Sequence, residues 1–81
     1  MKIYSVKDVK VGFMSPFIRS NDSLAIRDFK DAISDDHPTN ILHKHPEDYE
    51  LWCLGEFLQD SGVIKSEPKF LFSALSEDKN E

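Results

Sequence analysis

The chain offers little to build reaction chemistry with. One cysteine in 81 residues excludes an internal disulfide and suits a reducing compartment. Three scattered glycines leave no glycine-rich loop to cradle a phosphate. The P-loop, G-x-S-x-G and H-E-x-x-H patterns are missing, so no enzymatic activity and no cofactor are expected. No apolar run approaches the ~20 residues that span a bilayer as a helix. Met1-Lys2 leads straight into an alternating segment, so no signal peptide and no membrane attachment are expected. A surplus of positive charge is missing too: the net charge is −5. The deficit is uneven. Residues 1–30 carry six cations against three acids, and residues 31–81 carry four against twelve. A general nucleic-acid binder shows a basic footprint, so any such binding here must use a local patch in the first thirty residues.

What the chain does have is concentrated between His45 and Phe72. That stretch holds the single tryptophan, the single cysteine and five of the nine aromatics. Pro46-Glu47-Asp48-Tyr49 reads as a tight turn or one helical turn. Glu50 to Leu58 is rich in Leu, Trp, Cys and Phe. Gln59-Asp60-Ser61-Gly62 then closes a short hairpin loop, with Gly62 taking a left-handed conformation. Val63 to Lys65 begins the return strand, Pro68 bends it or marks a sheet edge, and Lys69 to Ala74 resumes it. The first strand of this hairpin is apolar on both parities: Leu51, Cys53 and Phe57 on one, Trp52, Leu54 and Leu58 on the other. A strand apolar on both faces is covered on both. A helix covers one, and a second copy of the chain, meeting Trp52 and Leu54, covers the other. The same pattern also fits a tryptophan lying over its own sheet.

Ahead of the hairpin, Lys2 to Val11 alternates and reads as a strand, which Gly12 breaks or bulges. Phe13 to Ile18 is apolar, but Pro16 restricts it to a loop or short edge strand. Ser20-Asn21-Asp22-Ser23 supplies helix-capping side chains. A helix is expected over about Asp22 to Ser34, with Ile26, Phe29 and Ile33, beside Ala25 and Ala32, on one face. Thr39 to Lys44 is a connection with Ile41 and Leu42 tucked beneath it. The resulting fold class is α+β: a small antiparallel sheet of about four strands, in the order β-β-α-β-β, with one packed helix. Residues 1–75 form this single domain, and 76–81 form a disordered acidic tail. His37, His43, His45 and Cys53 lack the spacing of a structural zinc site, so no metal is expected.

Four pieces then fall together: Lys2 to Asp8 (KIYSVKD), Pro16-Phe17, Asn21 to Arg27 (NDSLAIR) and Pro46 to Phe57 (PEDYELWCLGEF). In this combination the chain resembles the small nonstructural protein of gokushoviruses, the tailless single-stranded-DNA phages of the microvirus family. The match covers most of residues 1–64. Leu58 departs from it, standing where the family usually has an acidic or amide residue. The resemblance implies a nonstructural protein of the bacterial host cytoplasm that binds DNA or helps single-stranded genome synthesis and packaging. It carries over no catalytic residues. The expected partners are single-stranded DNA, further copies of the chain, and viral replication or capsid proteins. A protein–protein adaptor without DNA contact and a host-directed inhibitor are the alternatives.

Single strands are held by cations that track phosphates and by aromatics that stack on bases. The expected DNA site therefore comprises Lys7, Lys10, Phe13, Phe17 and Arg19, extended by Arg27 and Lys30 on the helix. Phe13 and Phe17 as core residues, among merely solvated lysines, are the competing assignment.

Overall fold

The computed structural model describes residues 1–75. The expected acidic tail, 76–81, lies outside the described residues. The first strand, β1 (Lys2–Asp8), is the middle of the sheet. Its alternation sends Tyr4 and Val6 toward the core and Ile3 and Lys7 to the opposite face. The strand stops at Asp8, short of the expected Val11. The Asp8 carbonyl accepts the amide of Val11 at 3.0 Å and its side chain accepts that of Lys10 at 2.9 Å, which turns the chain. A two-residue strand, β2 (Gly12–Phe13), then returns along β1 with Phe13 opposite Lys7. After Pro16, β3 (Phe17–Arg19) pairs with the other end of the same edge, Phe17 opposite Tyr4 and Ile18 opposite Ile3. β2 is the strand the sequence pattern did not separate, and it makes the sheet five-stranded.

The helix α1 (Asp22–Ser34) starts where the side-chain oxygen of Asn21 accepts the Leu24 amide at 3.0 Å. It buries Ala25, Phe29 and Ile33, with Ile26 half-buried beside them and Ala32 exposed. Asn40 closes its other end by donating to the carbonyls of Ala32 and Asp35, both at 2.7 Å. Carbonyls in the last turn of a helix have no partner within it, so an outside donor is what they need. Asn40 also caps the short helix α2 (Ile41–Lys44). There Leu42 packs on the core but Ile41 stays 47% exposed, unlike the expectation that both are tucked in. Pro46–Asp48 forms one 3-10 turn, with proline in the first turn as the sequence suggests.

Two long strands complete the sheet: β4 (Tyr49–Phe57), antiparallel to β1, and β5 (Ile64–Ser73), antiparallel to β4. In the loop between them the Gly62 amide reaches the Leu58 carbonyl at 2.8 Å, and Gly62 has the left-handed φ of 77° that its place in the loop requires. β4 carries a bulge. One step along β1, from Ile3 to Tyr4, corresponds to two along β4, from Gly55 to Cys53, so Leu54 is the extra residue. This corrects the parity expected for Phe57. Leu51 and Cys53 face the helix, whereas Phe57 joins Leu54 on the opposite face. β5 runs through Pro68 without ending, because it is the outer strand and Pro68 need not donate to a neighbour.

The core lies in one layer, between the sheet and α1, and is built of Tyr4, Ala25, Phe29, Ile33, Tyr49, Leu51, Cys53 and Ala74. Phe29 meets Phe72 edge-on at 6.2 Å. Both tyrosine hydroxyls are held above their ordinary value, Tyr4 by burial first and then by its hydrogen bond to Asp22, Tyr49 by burial and the nearby charges of Asp8 and Asp48.

Candidate functional site

The helix covers one face of the sheet, and among the described residues the other face carries no helix. This helix-free face should be polar if it met only water. It is not. Ile3, Phe13, Ile18, Trp52, Leu54, Phe57, Ile64 and Phe70 line it, and its charges are Lys7 and Glu50, which lie opposite each other in the register of β1 and β4. The face divides into two halves of different chemistry.

One half is aromatic. Trp52 stands at its centre, with Phe13 edge-on at 5.6 Å and Phe70 edge-on at 6.1 Å. The register explains the cluster: Trp52 lies opposite Phe70, and Phe13 opposite Lys7. The Lys7 ammonium sits 5.1 Å from the Trp52 ring centre and 5.5 Å from that of Phe13, within cation–π range of both. Glu50 accepts from the Trp52 ring nitrogen at 3.0 Å and so fixes the indole. Trp52 is half-buried beneath these neighbours, while Phe13 and Phe70 are each 48% exposed.

The other half is aliphatic. Ile3, Pro16, Phe17, Ile18, Leu54, Phe57 and Ile64 line an open groove of about 470 Å³, with Ser66 as its polar residue. The bulge at Leu54 and Gly55 creates it, since it turns both Leu54 and Phe57 to this side. The sequence pattern singled out Trp52 and Leu54 on this face but missed Phe70, Ile18, Phe57 and Ile64. The pairing of Trp52 with Phe70 was open to inference from the hairpin, but the parity of Phe57 was hidden by the bulge.

The cations and aromatics expected to form one DNA groove do not share a surface. Lys7 and Phe13 lie on the helix-free face, as described. Phe17 lies on the helix side, stacked on Tyr4 at 5.9 Å and packed against the core, because its partner in the register is Tyr4. Arg19 crosses to the helix, where its Nε meets Asp28 at 2.6 Å and its guanidinium covers the Phe17 ring at 4.9 Å. Arg27 is 3.8 Å from the same carboxylate, and Lys30 lies 5.2 Å from the Phe72 ring centre. Lys10 is 3.6 Å from Asp48 at the tip of the β1 turn. The Arg19 guanidinium, bonded to Asp28, holds that carboxyl below its ordinary value.

The borderline metal ligands are dispersed. His43 bonds the Ile33 carbonyl at 2.8 Å, His37 lies 2.9 Å from the Thr39 hydroxyl, and Cys53 is buried in the core. Among the described residues, no three His, Cys, Asp or Glu side chains are grouped to hold a metal ion. No helix among them is long and apolar enough to cross a membrane.

Comparison with known proteins adds an independent line. The family model described as Phage ORF5 protein matches residues 1–77. Protein ORF5 of Chlamydia phage 1 is 37% identical over 65 residues, which cover 76% of this chain and 68% of that protein. No solved structure matches the chain.

Proposed function

Since the chain belongs to the Phage ORF5 protein family, we propose that it is a non-enzymatic phage protein that binds single-stranded viral DNA, or the replication complex that carries it, during genome synthesis and packaging. Its place of action is the bacterial host cytoplasm. The observation that carries this reading is the aromatic half of the helix-free face, with Phe13, Trp52 and Phe70 gathered around the Lys7 ammonium. Half-exposed rings on an open sheet stack on bases, and a lysine among them meets the phosphate. The binding set is therefore Lys7, Phe13, Trp52 and Phe70. Arg19, Arg27 and Lys30, on the helix side, do not belong to it. Lys10 lies beyond the end of β1, with its ammonium 3.6 Å from the Asp48 carboxylate, and is left out of the set as well.

The test uses the protein's single tryptophan as reporter. A labelled oligothymidylate titrated at low and rising salt should quench Trp52 fluorescence and lose affinity as salt increases. Lys7→Glu should weaken binding at every sequence and flatten the salt slope by about one. Phe13→Ala should weaken it by about 1–3 kcal/mol. No binding at low salt, or binding indifferent to Lys7 and Phe13 in folded variants, would overturn the DNA reading.

A second reading is supported by the charge. With a net −5 and few cations on the helix-free face, the chain suits a protein partner better than a long polyanion. On this reading it is an adaptor between the replication machinery and procapsid proteins without DNA contact. It predicts no salt-dependent quenching.

A further inference from the structure

We propose that Glu50 is the base-reading residue of the aromatic half, and that together with Lys7 it selects guanine in a single strand. The inference rests on the DNA reading above and names the base that this surface prefers. Glu50 lies opposite Lys7 in the register of β1 and β4, and both side chains stand on the helix-free face. The ammonium is 5.1 Å from the Trp52 ring centre, and the carboxylate accepts from the indole nitrogen at 3.0 Å. An acid held beside a nucleic-acid site repels every phosphate that passes. Only hydrogen-bond donors offset that repulsion, and the donors along an unpaired DNA strand are base N–H groups. Glu50 therefore meets a base edge and not the backbone.

Both groups are held in place, and both keep bonds to offer. The Glu50 oxygen that accepts from the indole can accept a second bond, and the other carboxylate oxygen lies beside it. Lys7 is kept between the Trp52 and Phe13 rings, and its ammonium has three donors. Among the described residues, the two do not close on each other as an ion pair. The bases differ in what they bring to such a pair. Thymine brings one ring N–H; cytosine and adenine bring one amino group each. Guanine brings its N1–H and 2-amino group side by side, matching the two oxygens of a carboxylate, and its O6 acceptor adjoins them for an ammonium. The half-exposed Phe13 and Phe70 rings nearby carry the plane of the base.

Fluorescence anisotropy with three end-labelled strands at low salt tests it: thymidylate throughout, the same strand with one central guanine, and the same with hypoxanthine there, which lacks only the 2-amino group of guanine. The guanine strand is expected to bind about tenfold tighter than the thymidylate strand, and hypoxanthine to lose most of that gain. In Glu50→Gln the amide oxygen still accepts from the indole, so Trp52 keeps its place, but a donor replaces the other acceptor. The preference for guanine over hypoxanthine should then vanish, with far-ultraviolet circular dichroism unchanged. Equal binding of all three strands by the unaltered protein would overturn the proposal, whether or not Glu50→Gln folds. So would a guanine preference that survives in the folded variant. Sequence-blind binding leaves the DNA reading standing, whereas no binding to any strand at low salt removes both.

Discussion

The Tyr4 hydroxyl donates to the Asp22 carboxylate at 2.7 Å, and this bond ties the middle of β1 to the first turn of α1. Asp22 also meets Lys2 at 3.6 Å, so one carboxylate joins the strand to the helix start twice. Tyr4→Phe keeps the ring packed and removes only this donor. The expected cost is about 1–2 kcal/mol at pH 7, at the lower end for a charged acceptor because Asp22 is a third exposed. Urea unfolding of the two proteins checks it. The neutral phenol is the form the fold favours, so this contribution is complete below the ordinary tyrosine value of 10.0 and fades as pH rises above it. Tyr4→Phe should therefore flatten the alkaline end of the stability profile.

Asp28 makes the opposite prediction, at acid pH. Its carboxyl is held below the ordinary 3.8, mainly by the bond from Arg19. A lowered folded value means stability that is present above 3.8 and is lost as pH falls through the folded value. Carboxyl titration by nuclear magnetic resonance should find Asp28 below the usual aspartate range. In Arg19→Gln it should rise toward that range, although Arg27 keeps part of the effect.

Gly55 is expected to tolerate no side chain. Its φ is 152°, and a β-carbon there would stand 1.9 Å from the Lys65 backbone carbonyl oxygen, which no rotamer change relieves. Gly55→Ala should cost about 3 kcal/mol or more, combining backbone strain with displacement of β5. Thermal melting would show it. Gly62→Ala should cost less, since its β-carbon position is open and only the left-handed φ resists.

Phe29 is 3% exposed at the centre of the helix face, edge-on to Phe72. Phe29→Ala should cost about 3–5 kcal/mol, enough to unfold most of a domain this small. An unchanged melting temperature would mean that the helix does not rest on the sheet through this residue.

The helix was legible in the sequence because its signals are local. Asn21 as cap and the spacing of Phe29 and Ile33 lie within a few residues of what they specify, and α1 spans the expected Asp22 to Ser34. The hairpin was legible for the same reason, through Gly62 and the apolar runs beside it. What the sequence did not show is which side of the sheet each of the expected DNA-site residues takes. Phe13 and Phe17 are four apart and read as one apolar loop. The pairings of Phe13 with Lys7 and of Phe17 with Tyr4 send them to opposite faces. Those pairings are set by partners in another strand, and nothing near Phe17 in the chain announces them. The bulge at Leu54 is of the same kind: a glycine inside a strand hints at it, but only the meeting of β1 with β4 fixes where the extra residue falls.

Pro68 sits in the outer strand of a sheet whose opposite edge is already taken by β2 and β3. An edge ten residues long is a template on which further strands can polymerise, and the step from one sheet to a fibre needs an unbroken row of amide donors. Proline removes one donor near the middle of that row, and the register of β4 with β5 shifts across it, from Ser66 opposite Gly55 to Lys69 opposite Cys53. The exposed edge of the sheet thus carries a gap in its own donor row, which works against the addition of further strands from that side.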